Sequence, residues 1–215
     1  MHTAKLPYFE RLMIFASLFS FGLLFYRCLF TLSFDYSFLL WNLLIAFFPY
    51  LISKQLEKCT SFNVKAFLLL FLWLLFFPCC IYLFTDMLQM HKTNFALVYD
   101  VPMFLSFAIT GILPGLMSLK KTEMFLTRFI PGAHVRLSIF LFIFLSSFNI
   151  VLVRFLHLKS WNIITDCEKM LYASEKDILS PENNLEAWMA IIALMLIIDL
   201  AYAGFKRLYR IERVR

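Results

Sequence analysis

The chain has 215 residues, of which 62% are hydrophobic and 16% charged, and its formal net charge is +6. An average soluble domain is about half apolar and about a quarter charged, so this composition excludes an ordinary water-soluble globular protein. The basic residues fall in short clusters between long apolar runs, which is typical of membrane-protein loops and not of a nucleic-acid-binding face. The sequence therefore predicts a protein whose main partner is the lipid bilayer, with no nucleic-acid partner.

Six apolar runs follow one another along the chain, each close to the roughly 20 residues that a membrane-spanning helix needs. The first follows Glu10 and Arg11, is longer than a signal-peptide core and ends without an A-x-A cleavage site, so we expect a retained helix. The predicted fold class is all-α, a bundle of six transmembrane helices in a single transmembrane domain, 1–215. The predicted spans are residues 12–34, 36–53, 64–88, 97–119, 137–158 and 182–204.

Two local patterns add detail to this bundle. Helix 4 carries Gly111 and Gly115, a G-x-x-x-G spacing that permits close approach of another helix. Between helices 5 and 6, residues 165–168 have the sequence TDCE, which is typical of a capping box, and apolar residues follow at helical spacing. The second pattern predicts a short extracytoplasmic amphipathic helix at the membrane interface.

Lysines and arginines are distributed unevenly between alternate connections. They occur before helix 1, after helix 2, after helix 4 and in the C-terminal tail, whereas the other connections are poor in bases or acidic. Basic residues favour the cytoplasmic side of a membrane, and all four basic segments share one side only if there are six spans. We therefore expect a multi-pass protein of a bacterial inner or plasma membrane, with both termini cytoplasmic.

A polar stripe occupies the end of helix 3. Tyr82, Thr85, Asp86 and Gln89 are spaced at i, i+3, i+4 and i+7, so they lie on one helix face. Hydrocarbon offers such a stripe no hydrogen-bonding partner, so it must face protein or water. The stripe predicts the outward-facing end of a polar cavity.

Further polar residues fall at the same level of the predicted bundle, near the extracytoplasmic ends of the helices. The candidates are Arg27, Asn42, Tyr82, Asp86, Asp100, Arg154, His157 and Trp161. One interpretation is that they are interfacial residues with one or two structural ion pairs. The other is a convergent site, with Asp86 and Asp100 as acid and base and the two arginines as clamps for an anionic group.

No motif for a cofactor or a metal accompanies these residues. The His, Cys and Asp side chains come from separate segments without ligand spacing, and no Walker, H-E-x-x-H or Rossmann motif occurs. We therefore expect neither a metal nor a cofactor. Cys79 and Cys80 are interpreted as small packing residues, because a buried cysteine usually behaves as a small hydrophobe.

Four segments, in this order along the chain, resemble an uncharacterised bacterial multi-pass membrane family, domain-of-unknown-function family number 1361. They are WNLLIAFFP at 41–49, LFFPCCIYLFTD at 75–86, YD at 99–100 and RFLHLKSWN at 154–162. The resemblance adds Tyr99 to the candidates and matches the two aspartates, Arg154 and Trp161. This chain lacks the asparagine and the second proline of the family's Phe-Pro segment, and keeps Pro78 alone. The resemblance implies a set of site residues and no reaction.

Three function classes are compatible with these observations. The first is a binding or accessory protein with an outward-facing polar site for a lipid headgroup or a partner membrane protein. The second is a membrane-embedded enzyme that acts on a lipid or lipid-linked substrate with its paired aspartates. The third is a small-solute transporter, which ranks last because glycines are few and no inverted repeat is visible.

Overall fold

The computed structural model describes residues 8–32, 34, 36–85, 96–155 and 185–214, with the backbone alone at 96, 97, 154, 155 and 211–214. Within these ranges every regular element is a helix. The helices are α1 (Tyr8–Thr31), α2 (Phe38–Ala46), α3 (Phe48–Glu57), α4 (Val64–Phe76), α5 (Cys79–Thr85), α6 (Ala96–Leu126), α7 (Gly132–Phe155) and α8 (Leu185–Val214).

Six helical segments are long and apolar enough to cross a membrane, by length and composition. They are α1, α6, α7 and α8 together with two segments that each combine a pair of helices, α2 with α3 and α4 with α5. The predicted multi-pass, all-helical membrane class is therefore confirmed. The predicted amphipathic helix between helices 5 and 6 lies outside the described residues.

Proline divides both of the two-part spans. Pro49 lies in the first turn of α3, and Pro78 separates α4 from α5. A proline has no N–H to donate, and its ring displaces the preceding turn. At the second break the Phe77 N–H still donates to Trp73 O at 2.8 Å and the Tyr82 N–H donates to Pro78 O at 3.2 Å. The third span is thus interrupted at Pro78, between α4 and α5, and its hydrogen bonding resumes within one turn.

Several helices extend beyond the spans predicted from hydropathy. The second span continues to Glu57, the fourth continues to Leu126, the fifth begins at Gly132 and the last continues to Val214. Charged residues mark where hydrocarbon ends, but backbone hydrogen bonds continue into the headgroup region and water. At 31 residues, α6 is about 46 Å long, which exceeds the roughly 30 Å of a bilayer core.

The chain divides into two compact units, Met1–Phe125 and Leu126–Arg215. In the first unit α3 packs against α4, and α2 packs against α5. In the second unit α7 packs against α8 around a core of Val151, Ala187 and Ile191. The single transmembrane domain 1–215 stays a prediction.

The connection from α1 to α2 contains an unusual backbone conformation at Leu32. Its φ is 51°, in the left-handed region, and it is the one non-glycine residue with positive φ within the described ranges. A residue with a Cβ loses about 1–2 kcal/mol there relative to the right-handed region. Leu32 is also 87% exposed, so its own packing within the chain does not offset this strain.

Candidate functional site

A buried ion pair joins α1 to α6. The Arg27 Nε–H donates to Asp100 Oδ1 at 2.6 Å, and Arg27 Nη2 donates to Asp100 Oδ2 at 3.1 Å. This two-point contact uses both carboxylate oxygens and fixes the plane of the guanidinium. The Arg27 side chain is 13% exposed and the Asp100 side chain 3%, so the pair is largely removed from solvent and lipid.

Tyrosines surround this ion pair. The Arg27 Cζ lies 4.1 Å from the centroid of the Tyr36 ring, a cation–π contact, and Tyr36 is itself buried edge-on against Phe104 at 5.0 Å. The Tyr99 O–H donates to the Leu23 carbonyl at 2.7 Å. A buried cation is thereby held by a carboxylate on one side and an aromatic face on another, which stabilises its charge away from water.

The same helix pair is joined again nearer the middle of α1. Ser20 Oγ and Thr110 Oγ1 are 3.0 Å apart and both side chains are buried. Together with the ion pair and the Tyr99 hydrogen bond, this contact fixes how α1 is rotated and how far it is displaced along α6. Each of the three contacts satisfies a polar group that hydrocarbon would leave without a partner.

The remaining predicted site residues have different placements. Asn42 lies on α2 and Tyr82 on α5, two helices that pack together, and both side chains are half-buried. The side chain of Arg154 and all of Asp86, His157 and Trp161 lie outside the described residues. The structure therefore brings Arg27 and Asp100 into direct contact and places Tyr99 beside them on α6.

Nothing in the sequence indicated the role of Tyr36, whose ring contacts the Arg27 guanidinium. Its signal was weak because it follows the break after helix 1, where an aromatic residue is typical of a membrane interface. Sequence reasoning also missed a second polar cluster at the other end of α1. There Lys54 Nζ is 2.8 Å from Glu10 Oε1, and the Tyr50 O–H donates to the same carboxylate oxygen.

Further ion pairs occur at that end of the first unit. Lys121 Nζ is 2.5 Å from Glu57 Oε2 and joins α6 to α3, and Lys120 pairs with Glu123 one turn along α6 at 2.7 Å. The basic residues that predicted the cytoplasmic side are thus partly neutralised by carboxylates on the same level. Their pairing was hidden from the sequence because residues 54–57 and 120–126 were expected to be loop.

The two glycines of α6 make the close approach that their spacing predicts. A Cβ added at Gly115 would lie 2.9 Å from Cys80 Cβ, and one added at Gly111 would collide with Leu83 and lie 3.1 Å from the Cys80 carbonyl. The Cys80 thiol donates to the Ala46 carbonyl at 3.2 Å. In this structure Cys80 is therefore a buried packing residue between α5, α6 and the end of α2.

A family model described as Protein of unknown function (DUF1361) matches residues 41–200. The matched range includes every candidate site residue except Arg27. No curated protein and no solved structure matches the chain.

Proposed function

The chain belongs to the family Protein of unknown function (DUF1361), and from its site we propose that it is a binding or accessory protein of the membrane. Its polar site, at the Arg27 end of α1, receives the phosphate of a lipid headgroup. The observation that carries this proposal is the two-point ion pair of Arg27 with Asp100 inside the membrane-spanning segments.

The two members of the ion pair differ in how far their side chains are exposed. Asp100 is almost completely covered and both its oxygens accept hydrogen bonds from Arg27, whereas Arg27 keeps 13% of its side chain exposed. The member of the pair that a ligand can approach is therefore the cation. A planar guanidinium suits the geometry of a phosphate group, and the Tyr36 ring beneath it limits its movement.

The same geometry favours binding over acid–base catalysis. A general acid or base must come within hydrogen-bonding distance of the group that it protonates or deprotonates. Asp100 is 3% exposed and engaged at both oxygens, so it supports Arg27 and does not face a substrate. Its role in this proposal is to position the arginine.

The charge distribution supports an outward-facing site. Glu10 and Arg27 are about 26 Å apart along α1, and the ion-paired lysines Lys54, Lys120 and Lys121 share the level of the Glu10 cluster. Because basic residues favour the cytoplasm, we place the Glu10 end on that side. The Arg27 end is then extracytoplasmic, with both termini cytoplasmic, in a bacterial inner or plasma membrane.

Lipid binding by the purified protein tests the proposal. Native mass spectrometry with added phosphatidylglycerol compares the wild type with Arg27→Leu/Asp100→Leu, in which the paired replacement avoids leaving a buried charge. Loss of hydrogen bonds to a charged group, at roughly 1.5–3 kcal/mol, weakens binding about ten- to hundred-fold. Glu10→Leu/Lys54→Leu is the matched control at the other end of α1 and keeps wild-type affinity.

Two other outcomes contradict the headgroup proposal. Equal affinity in the wild type and the Arg27→Leu/Asp100→Leu variant shows that the site does not bind phosphate. Unchanged lipid affinity with loss of a co-purifying membrane protein assigns the site to a partner protein instead.

A further inference from the structure

An apolar groove lies between the second half of α1 and the beginning of α2. Its volume is about 330 Å³, and eight of its nine lining residues are apolar or cysteine, with Ser37 as the exception. The wall on α1 includes Leu24 and Cys28, and the wall on the α2 side includes Leu40. An apolar groove of this volume is at the small end of the range for ligand sites, about 300–1,000 Å³.

The groove is next to the ion pair in the chain and in the fold. Leu24 and Cys28 are the residues one turn before and directly after Arg27 on α1. On the other wall, Ser37 follows Tyr36, whose ring contacts the Arg27 guanidinium. Arg27 does not itself line the groove, so an amphipathic molecule bound here would lay its tail along the apolar wall and place its polar end beside the groove, toward Arg27.

The groove also includes Leu32 and Phe34, which come from the connection between the two helices. Leu32 has φ 51° and is 87% exposed, and Phe34 is 78% exposed. Both side chains are large apolar groups that line the groove without being covered by the chain itself.

We propose that this groove binds one acyl chain of the phospholipid whose headgroup contacts Arg27, an inference that rests on the proposed function. A groove of about 330 Å³ can hold part of a single acyl chain. A partner helix is about 10–12 Å across with its side chains and needs a broader face. Apolar walls near the partly buried, ion-paired Arg27 match the two chemical parts of a phospholipid.

Immobilisation of a spin-labelled lipid tests the groove directly. The protein is placed in nanodiscs containing phosphatidylglycerol labelled near the end of one acyl chain, and electron paramagnetic resonance measures the motionally restricted fraction. Cys28→Trp fills the groove from α1 and is expected to remove one restricted lipid per protein from that fraction, because lipids around the rest of the apolar surface stay restricted. Leu18→Trp is the matched control, because Leu18 is exposed on the same helix outside the groove.

A second variant keeps the test valid if Cys28→Trp does not fold. Leu40→Trp fills the same groove from α2 and is expected to have the same effect, with thermal unfolding as the check on structure. A restricted fraction that is unchanged in whichever of these variants folds overturns the groove proposal.

The Arg27→Leu/Asp100→Leu variant separates this proposal from the proposed function. If groove filling releases the chain while the double variant leaves both lipid affinity and chain restriction unchanged, the groove binds lipid and the headgroup proposal fails. If the double variant weakens binding while groove filling changes nothing, the headgroup proposal stands and the groove proposal fails. A spin-labelled stearic acid serves as a probe without a phosphate group. If it is restricted as strongly as the phospholipid in both the wild type and the double variant, chain binding does not depend on the headgroup, and the link between groove and headgroup is overturned.

Discussion

Replacing the members of the Arg27–Asp100 pair singly and together gives the sharpest test of how the membrane-spanning helices are held. Arg27→Leu leaves a carboxylate that is 3% exposed without its partner, which places the expected loss near the upper part of the 3–5 kcal/mol range for breaking a buried pair. Asp100→Leu costs less, because Arg27 is 13% exposed, retains the Tyr36 ring and can extend its long side chain toward the interface. Arg27→Leu should therefore lower the free energy of unfolding more than Asp100→Leu does.

The double variant Arg27→Leu/Asp100→Leu is expected to be about as stable as the wild type, because apolar replacement removes the charges together. Unfolding by sodium dodecyl sulfate in mixed micelles measures all four free energies of unfolding, and the double-mutant cycle gives the coupling. At about 1.4 kcal/mol for each factor of ten, a loss of 3–5 kcal/mol changes the unfolding equilibrium by roughly two to four orders of magnitude. Single losses that simply add in the double variant would refute the pairing.

Two further predictions concern helix packing and topology. Gly115→Ala places a Cβ against Cys80 at 2.9 Å and should destabilise the first unit by about 1–3 kcal/mol, whereas Gly22→Ala on α1 meets open space and should leave the same unfolding measurement within about 0.5 kcal/mol. For topology, single cysteines at Ser61 and Thr31, both exposed and outside the groove, are introduced after the five native cysteines are replaced. An impermeant maleimide should label Thr31→Cys in intact cells and Ser61→Cys only after the membrane is opened. Equal labelling of both in intact cells would contradict the proposed orientation.

The sequence predicted six helices long and apolar enough to cross a membrane, because the free energy of moving apolar side chains into lipid is large and follows from the composition and length of each run. It predicted the ends of helices less well. Residues 54–57 and 120–126 were assigned to loops because they are charged, yet Glu57 and Lys121 pair with each other from two helices that continue beyond the apolar core. Charged residues indicate where the membrane boundary lies, but they do not indicate where the hydrogen bonding of a helix ends.

The candidate site shows the same limit. Arg27 and Asp100 were singled out because each is costly in hydrocarbon, but two aspartates and two arginines allowed several pairings. The pairing depends on the rotation of α1 against α6, which the Ser20–Thr110 contact and the Tyr99 hydrogen bond help to fix. Contacts between residues about 70 to 90 positions apart leave no periodic signal in either helix.

The polar contacts at the two ends of α1 have a consequence for how the first unit adapts to bilayer thickness. The helix is held to α3 by Glu10 with Lys54, and to α6 by Arg27 with Asp100, at two levels about 26 Å apart. A helix anchored at one level can tilt or slide by itself when the hydrocarbon becomes thinner. With anchors at both levels, α1 cannot shift without breaking an ion pair. The mismatch must then be met by tilting of the unit as a whole or by local deformation of the lipid around it.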